Sequence, residues 1–108
     1  MAFKRIIAVD FDNTLSLDNH WPYIGEPNLP LISFLHDAQV KGYGIVLWTC
    51  REGQLLDEAV AWCKKLGLEF DAINENPDYV GWKSRKVVAD MYIDDRAFNL
   101  EDYKQYIL

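Results

Sequence analysis

Two carboxylates whose spacing suits metal and proton chemistry lie near the start of the chain, at Asp10 and Asp12. They directly follow Ile6–Val9, a run of apolar residues that predicts a strand buried on both faces, as in a parallel α/β sheet. Carboxylates this close repel each other unless a cation lies between them. The pattern therefore indicates an active site; the alternative is that Asp10 and Asp12 only cap the turn after the strand.

Elements further along the chain place more polar groups at strand ends. A helix opens at Asn28 and ends before Gly42, and residues 44–48 form a second buried strand. A second helix covers about residues 54–66, a short third strand covers 70–73, and residues 87–93 contain the fourth. Strands alternating with helices predict an α/β fold, a three-layer sandwich on a mostly parallel, Rossmann-like sheet.

The carboxyl ends of parallel strands meet at one edge of the sheet, where such folds bind ligands. We therefore expect Asp10, Asp12, Thr49, Asp94 and Asp95 to converge there. Carboxylates without a nearby histidine or thiol form a hard oxygen site that suits Mg²⁺, and such a metal is expected to touch a phosphate. Asp10 can attack phosphorus, Asp12 can act as acid and base, and Thr49 with a lysine can bind phosphoryl oxygens.

The sequence resembles the haloacid dehalogenase (HAD) superfamily of phosphatases along nearly the whole chain. The first motif is matched by Asp10-Phe11-Asp12-Asn13-Thr14, the second by Thr49, the third by a lysine before the last strand, and the fourth by Asp94-Asp95. The resemblance implies a phosphomonoester hydrolase with Asp10 as nucleophile and Asp12 as general acid and base. It also implies that Mg²⁺ is held by the Asp10 and Asp94 carboxylates and the Asp12 backbone carbonyl, with Asp95 assisting.

Four further residues are candidates for binding the substrate. Lys83 and Lys86 both precede the fourth strand, and we choose Lys86 because the run from Ser84 to Arg96 looks like that of small members without a cap domain. Arg51, in a run that also looks like that subgroup, and Asn13 are candidate substrate contacts. The alternative for Arg51 is an ion pair with a neighbouring acid, and for the remaining lysine a solvated surface charge.

The spacing of the motifs leaves no room for a cap domain, so we predict a single HAD-like hydrolase domain over residues 1–108. Turn-forming residues over 16–27 predict a short flap beside the site. An open site suits a large phosphorylated substrate, such as a sugar chain, a polynucleotide end or a protein; otherwise a partner subunit of a homo-oligomer covers it.

Composition limits the other classes of function. The net charge of −6 argues against bulk nucleic-acid binding, and no apolar run reaches the length of a membrane span, so we expect a cytoplasmic protein. Cys50 and Cys63 are predicted to be free thiols in the core. The second functional hypothesis is a receiver-like phosphoacceptor domain, and the third is a binding domain without catalysis.

Overall fold

The computed structural model describes residues 4–18 and 20–97. Its elements, in chain order, are strands β1 (Ile6–Val9), β2 (Ser16–Leu17) and β3 (Glu26–Pro27), helix α1 (Leu29–Val40), strand β4 (Gly44–Leu47), helix α2 (Gly53–Lys65), strand β5 (Ala72–Ile73), a 3₁₀ turn (Asp78–Val80) and strand β6 (Met91–Ile93). The predicted helix or turn at the end of the chain falls on residues 98–108, outside the described residues. None of the described helices is long and apolar enough to cross a membrane.

The main sheet is parallel and has the order β5-β4-β1-β6. Strand β1 is followed, after the hairpin of β2 and β3, by α1 and then by β4, which pairs with β1. Strand β4 is followed by α2 and then by β5, which pairs with the outer edge of β4. The chain then returns past β1 to form β6, so the strand order reverses between β1 and β6. Ligands bind at such reversal points in open α/β sheets, outside the carboxyl ends of the strands.

Side chains alternate between the two faces of the sheet, as strand geometry requires. Ile7 and Val9 of β1 belong to the core cluster that α1 and α2 cover, which includes Leu35 and Cys63. On the other face Ile6 and Ala8, with Val46 of β4, pack against Val87 of the segment that leads to β6 and against Tyr92 of β6 itself. The predicted α/β class with a mostly parallel, Rossmann-like sheet is confirmed.

The helix ends follow from local chemistry. Asn28 caps α1 by accepting a hydrogen bond of 3.3 Å from the backbone N–H of Leu31, and Pro30 lies in the first turn, where its missing N–H costs nothing. Gly67 follows α2 with a φ of +80°, a left-handed conformation that glycine adopts without a steric penalty.

The predicted flap is a small antiparallel hairpin of β2 and β3 and contains a cis peptide between Trp21 and Pro22. Gly25 packs so closely that an added Cβ would lie 1.8 Å from the carbonyl oxygen of Leu17, so only glycine fits there.

The prediction for the cysteines was half wrong. Cys63 is buried, but Cys50 is exposed, because β4 ends at Leu47 and the chain has left the core by residue 50.

Candidate active site

Backbone pairing brings the ends of four strands to one edge of the sheet. Beyond the strands themselves, the N–H of Asp10 bonds to the carbonyl of Ile93, that of Trp48 to Val9, and that of Asn74 to Leu47, at 2.9, 2.9 and 2.8 Å. The ladder therefore continues one residue past the regular strands. The next side chains at this edge are Asp10, Thr49, Asn74 and Asp94.

Three carboxylates form a cluster at this edge. Asp10, Asp94 and Asp95 each offer a carboxylate oxygen, and these oxygens lie within 4.8 Å of one another. Asp10 and Asp94 are half-buried, and Asp95 is exposed. The donor set is all oxygen and triply negative, which fits a hard divalent cation such as Mg²⁺ and fits Zn²⁺ poorly.

The carboxyl of Asp10 has a raised pKa. Burial, with a smaller contribution from the charges of Asp94 and Asp95, raises this pKa from 3.8 to about 6, against the lowering effect of hydrogen bonds from Thr14 and the Phe11 backbone. The Thr14 hydroxyl donates to Oδ2 of Asp10 at 3.0 Å and fixes its orientation. A cation between these carboxylates would remove the repulsion among them.

Asp12 is outside this cluster and is bound to Arg51. The guanidinium donates from Nε to Asp12 Oδ2 at 3.0 Å and from Nη2 to Oδ1 at 2.7 Å, a two-pronged ion pair. Arg51 is 0% exposed. The sequence left open whether Arg51 contacts substrate or pairs with an acid, and in this structure it pairs with an acid.

A hydrogen bond joins Thr49 and Asn74 at the same edge of the sheet. The backbone N–H of Thr49 donates to Oδ1 of Asn74 at 2.8 Å, and the Thr49 hydroxyl accepts from the N–H of Arg51 at 3.2 Å. Asn74 was not among the candidate site residues of the sequence analysis. Its position directly after a short apolar strand was the signal that could have found it. Asn13 is exposed in the turn after β1, with a φ of +60°.

The two candidate lysines are both exposed. The ammonium of Lys86 is 5.6 Å from the ring centre of Tyr92, on the strand next to β1. Lys83 lines a groove of about 450 Å³ formed by the loop over residues 75–84. Within the described ranges, neither lysine forms an ion pair.

The fold and the site define an α/β protein with a Rossmann-like parallel sheet and a carboxylate cluster at its carboxyl edge. A solved structure of a conserved protein coded by a locus from Bacteroides thetaiotaomicron is 37% identical in sequence and superposes with a TM-score of 0.77. The match covers 98% of this chain and 94% of the Bacteroides chain. This chain therefore belongs to the same family as that Bacteroides protein. No protein-family model matches the chain, and no curated protein matches it.

Proposed function

We propose that the protein is a Mg²⁺-dependent phosphomonoester hydrolase of the HAD type that works through a phosphorylated Asp10. The observation that carries the proposal is the clustering of the Asp10, Asp94 and Asp95 carboxylate oxygens within 4.8 Å at the reversal point of the sheet. Thr49 and Asn74 end the two strands on the other side of β1. The arrangement thus combines a nucleophile, ligands for a cation and polar groups for a phosphate.

The three clustered carboxylates would hold the metal. Mg²⁺ bound there supplies positive charge that offsets the negative charge of the phosphate and of the carboxylates. The hydrogen bond from the Thr14 hydroxyl to Oδ2 orients the Asp10 carboxyl for its attack on phosphorus.

The reaction has two steps on this chain. An oxygen of Asp10 attacks phosphorus, the bond from phosphorus to the alcohol oxygen of the substrate breaks, and Asp12 gives its proton to that oxygen, which leaves phosphate on Asp10. Water then attacks the same phosphorus, its proton passes to Asp12, and the bond to Asp10 breaks to release inorganic phosphate. Thr49 and Lys86 bind the phosphoryl oxygens during both steps.

The substrate is a phosphomonoester that reaches a site with no cap domain. The described residues between β1 and α1 form only the hairpin of β2 and β3, which covers far less surface than a domain would. Large phosphorylated groups, including the end of a nucleic acid, can therefore approach the carboxylates. Alternatively, a second subunit of a homo-oligomer covers the site. We place the activity in the cytoplasm.

Phosphoenzyme measurements separate this proposal from a receiver-like phosphoacceptor. The protein is mixed with p-nitrophenyl phosphate and Mg²⁺, quenched in acid, and digested for mass spectrometry while the release of p-nitrophenol is followed. A hydrolase gives many turnovers and a transient phosphate on the peptide that contains Asp10. A stable, stoichiometric phosphate on Asp10 without turnover would instead identify a receiver-like protein.

A further inference from the structure

Arg51 is the buried cation of the candidate site. Within residues 4–18 and 20–97, it is the only charged residue in the buried class, with an exposure of 0%. A buried guanidinium is costly unless its donors are paired. The groups that accept hydrogen bonds from the Arg51 guanidinium are therefore the groups that this side chain positions.

The donors of Arg51 join three separate parts of the chain. Nε and Nη2 bind the two oxygens of Asp12, Nη2 also donates to the carbonyl of Pro22 in the flap at 3.0 Å, and Nη1 donates to the carbonyl of Leu55 in α2 at 3.4 Å. One planar group thus connects the turn after β1, the flap and the first turn of α2.

The guanidinium also contacts two aromatic rings. The Cζ atom of Arg51 is 5.0 Å from the ring centre of Phe11 and 5.0 Å from that of Trp21. Phe11 is fully buried in the core, whereas Trp21 belongs to the flap and is largely exposed. Arg51 therefore contacts one ring of the core and one ring of the flap.

We propose that Arg51 is a positioning residue that holds Asp12 in the orientation needed to accept the proton of the hydrolytic water. This inference rests on the proposed function and assigns Arg51 to the second of its two steps. An ionised carboxylate whose two oxygens face a fixed guanidinium is an acceptor with a defined direction. Arg51 therefore serves the second step, in which water attacks the phosphorylated Asp10, the proton of water goes to Asp12, and phosphate leaves.

Substitution by lysine tests this role while it keeps the charge. Arg51→Lys retains one ammonium but loses the two-pronged geometry and the planar contacts with the rings. The probe is p-nitrophenyl phosphate with Mg²⁺, because p-nitrophenolate leaves as a stable anion without a proton, so the first step does not require Asp12. Rapid mixing gives the rate of the first step from the p-nitrophenol burst and the rate of the second from the steady phase.

We expect Arg51→Lys to slow hydrolysis of the phosphoenzyme by about 10- to 100-fold, because a general base supplies roughly 10²- to 10⁴-fold and the variant loses part of that. The burst rate should change by less than about 3-fold. Phosphorylated Asp10 should accumulate accordingly. In an Asp12→Asn background, Arg51→Lys should have little further effect on the second step, because a residue that acts through Asp12 cannot act once that carboxylate is gone.

Arg5→Lys is the matched control, since Arg5 is exposed and precedes β1 at the opposite edge of the sheet. Equal loss of both steps in Arg51→Lys, or an effect of the same size in the Asp12→Asn background, would overturn the positioning role while the proposed function stands. A wild-type protein that shows neither burst nor turnover would overturn the proposed function, and this inference with it. Thermal unfolding of each variant verifies that the fold is retained.

Discussion

The backbone N–H of Asp10 donates a hydrogen bond of 2.9 Å to the carbonyl oxygen of Ile93. Val9 pairs with Ile93 in the parallel ladder, so Asp10 and Asp94 are the first residues beyond the same rung. A slip of one residue in this register would turn the side chains of β6 to the opposite faces of the sheet. The acidic cluster is therefore a direct consequence of how β6 pairs with β1.

Mg²⁺ should stabilise the protein through this cluster. A ligand present at roughly ten to a hundred times its Kd adds about 1.4 to 2.7 kcal/mol to the free energy of unfolding, which raises Tm by at least about 5 °C in a chain of this size. Asp94→Asn should abolish most of the rise measured by thermal unfolding with and without Mg²⁺. Asp57→Asn, at an exposed position on α2, is the control and should keep it. An equal rise in both variants would place the cation elsewhere.

Asp10→Asn should stabilise the metal-free protein at neutral pH. The pKa of Asp10 is raised to about 6, so the folded state holds its proton more tightly than the unfolded chain does, and stability falls as the pH rises from about 4 to about 6. After allowance for solvent screening of a half-exposed group, we estimate a gain of about 1 kcal/mol for the variant above pH 6.

The measurement for Asp10→Asn is thermal unfolding in a chelator at pH 5 and at pH 7.5. The difference in Tm between the variant and the wild-type protein should be larger at pH 7.5, where the wild-type carboxyl is ionised. A difference of the same size at both values would show that the raised pKa of Asp10 does not contribute to stability.

The ion pairs Arg51–Asp12 and Lys4–Asp71 should differ in their contribution to stability. Arg51→Met removes the buried guanidinium that binds both oxygens of Asp12, and we expect a loss of about 2 to 4 kcal/mol in the free energy of unfolding. Lys4→Met removes an exposed pair with Asp71 at 3.1 Å and should cost no more than about 1 kcal/mol. Urea unfolding of both variants gives the comparison, and similar losses would contradict it.

The strands and their polar ends could be predicted from the sequence because the signals are local. Apolar runs that stop at Asp10, Thr49 and Asp94 give both the buried strands and the residues at their ends, and parallel topology then places them at one edge. The pairing of Arg51 with Asp12 could not be predicted in the same way. It joins residues 39 positions apart through a side chain that the flap and core enclose, so it depends on tertiary packing.

Lys86 should matter for activity and Lys83 should not. Lys86 lies over Tyr92, on the strand whose end carries Asp94, whereas Lys83 lines the groove of the loop over residues 75–84. Loss of one charged donor to the phosphoryl group typically lowers kcat by about 10²-fold. We therefore expect kcat to fall by about this factor in Lys86→Met and by less than about 2-fold in Lys83→Met. Steady-state kinetics on p-nitrophenyl phosphate measure both; the reverse order would assign the phosphate-binding role to Lys83.

The central claim is that Asp10 is the nucleophile of a Mg²⁺-dependent phosphatase. The most direct test is the steady-state hydrolysis of p-nitrophenyl phosphate by the wild-type protein and by Asp10→Asn, each with Mg²⁺ and with a chelator. We predict turnover that requires Mg²⁺ in the wild-type protein and a loss of at least about 10³-fold in Asp10→Asn, with the fold intact by thermal unfolding. Equal turnover in the two proteins, or wild-type turnover that persists in the chelator, would contradict the claim.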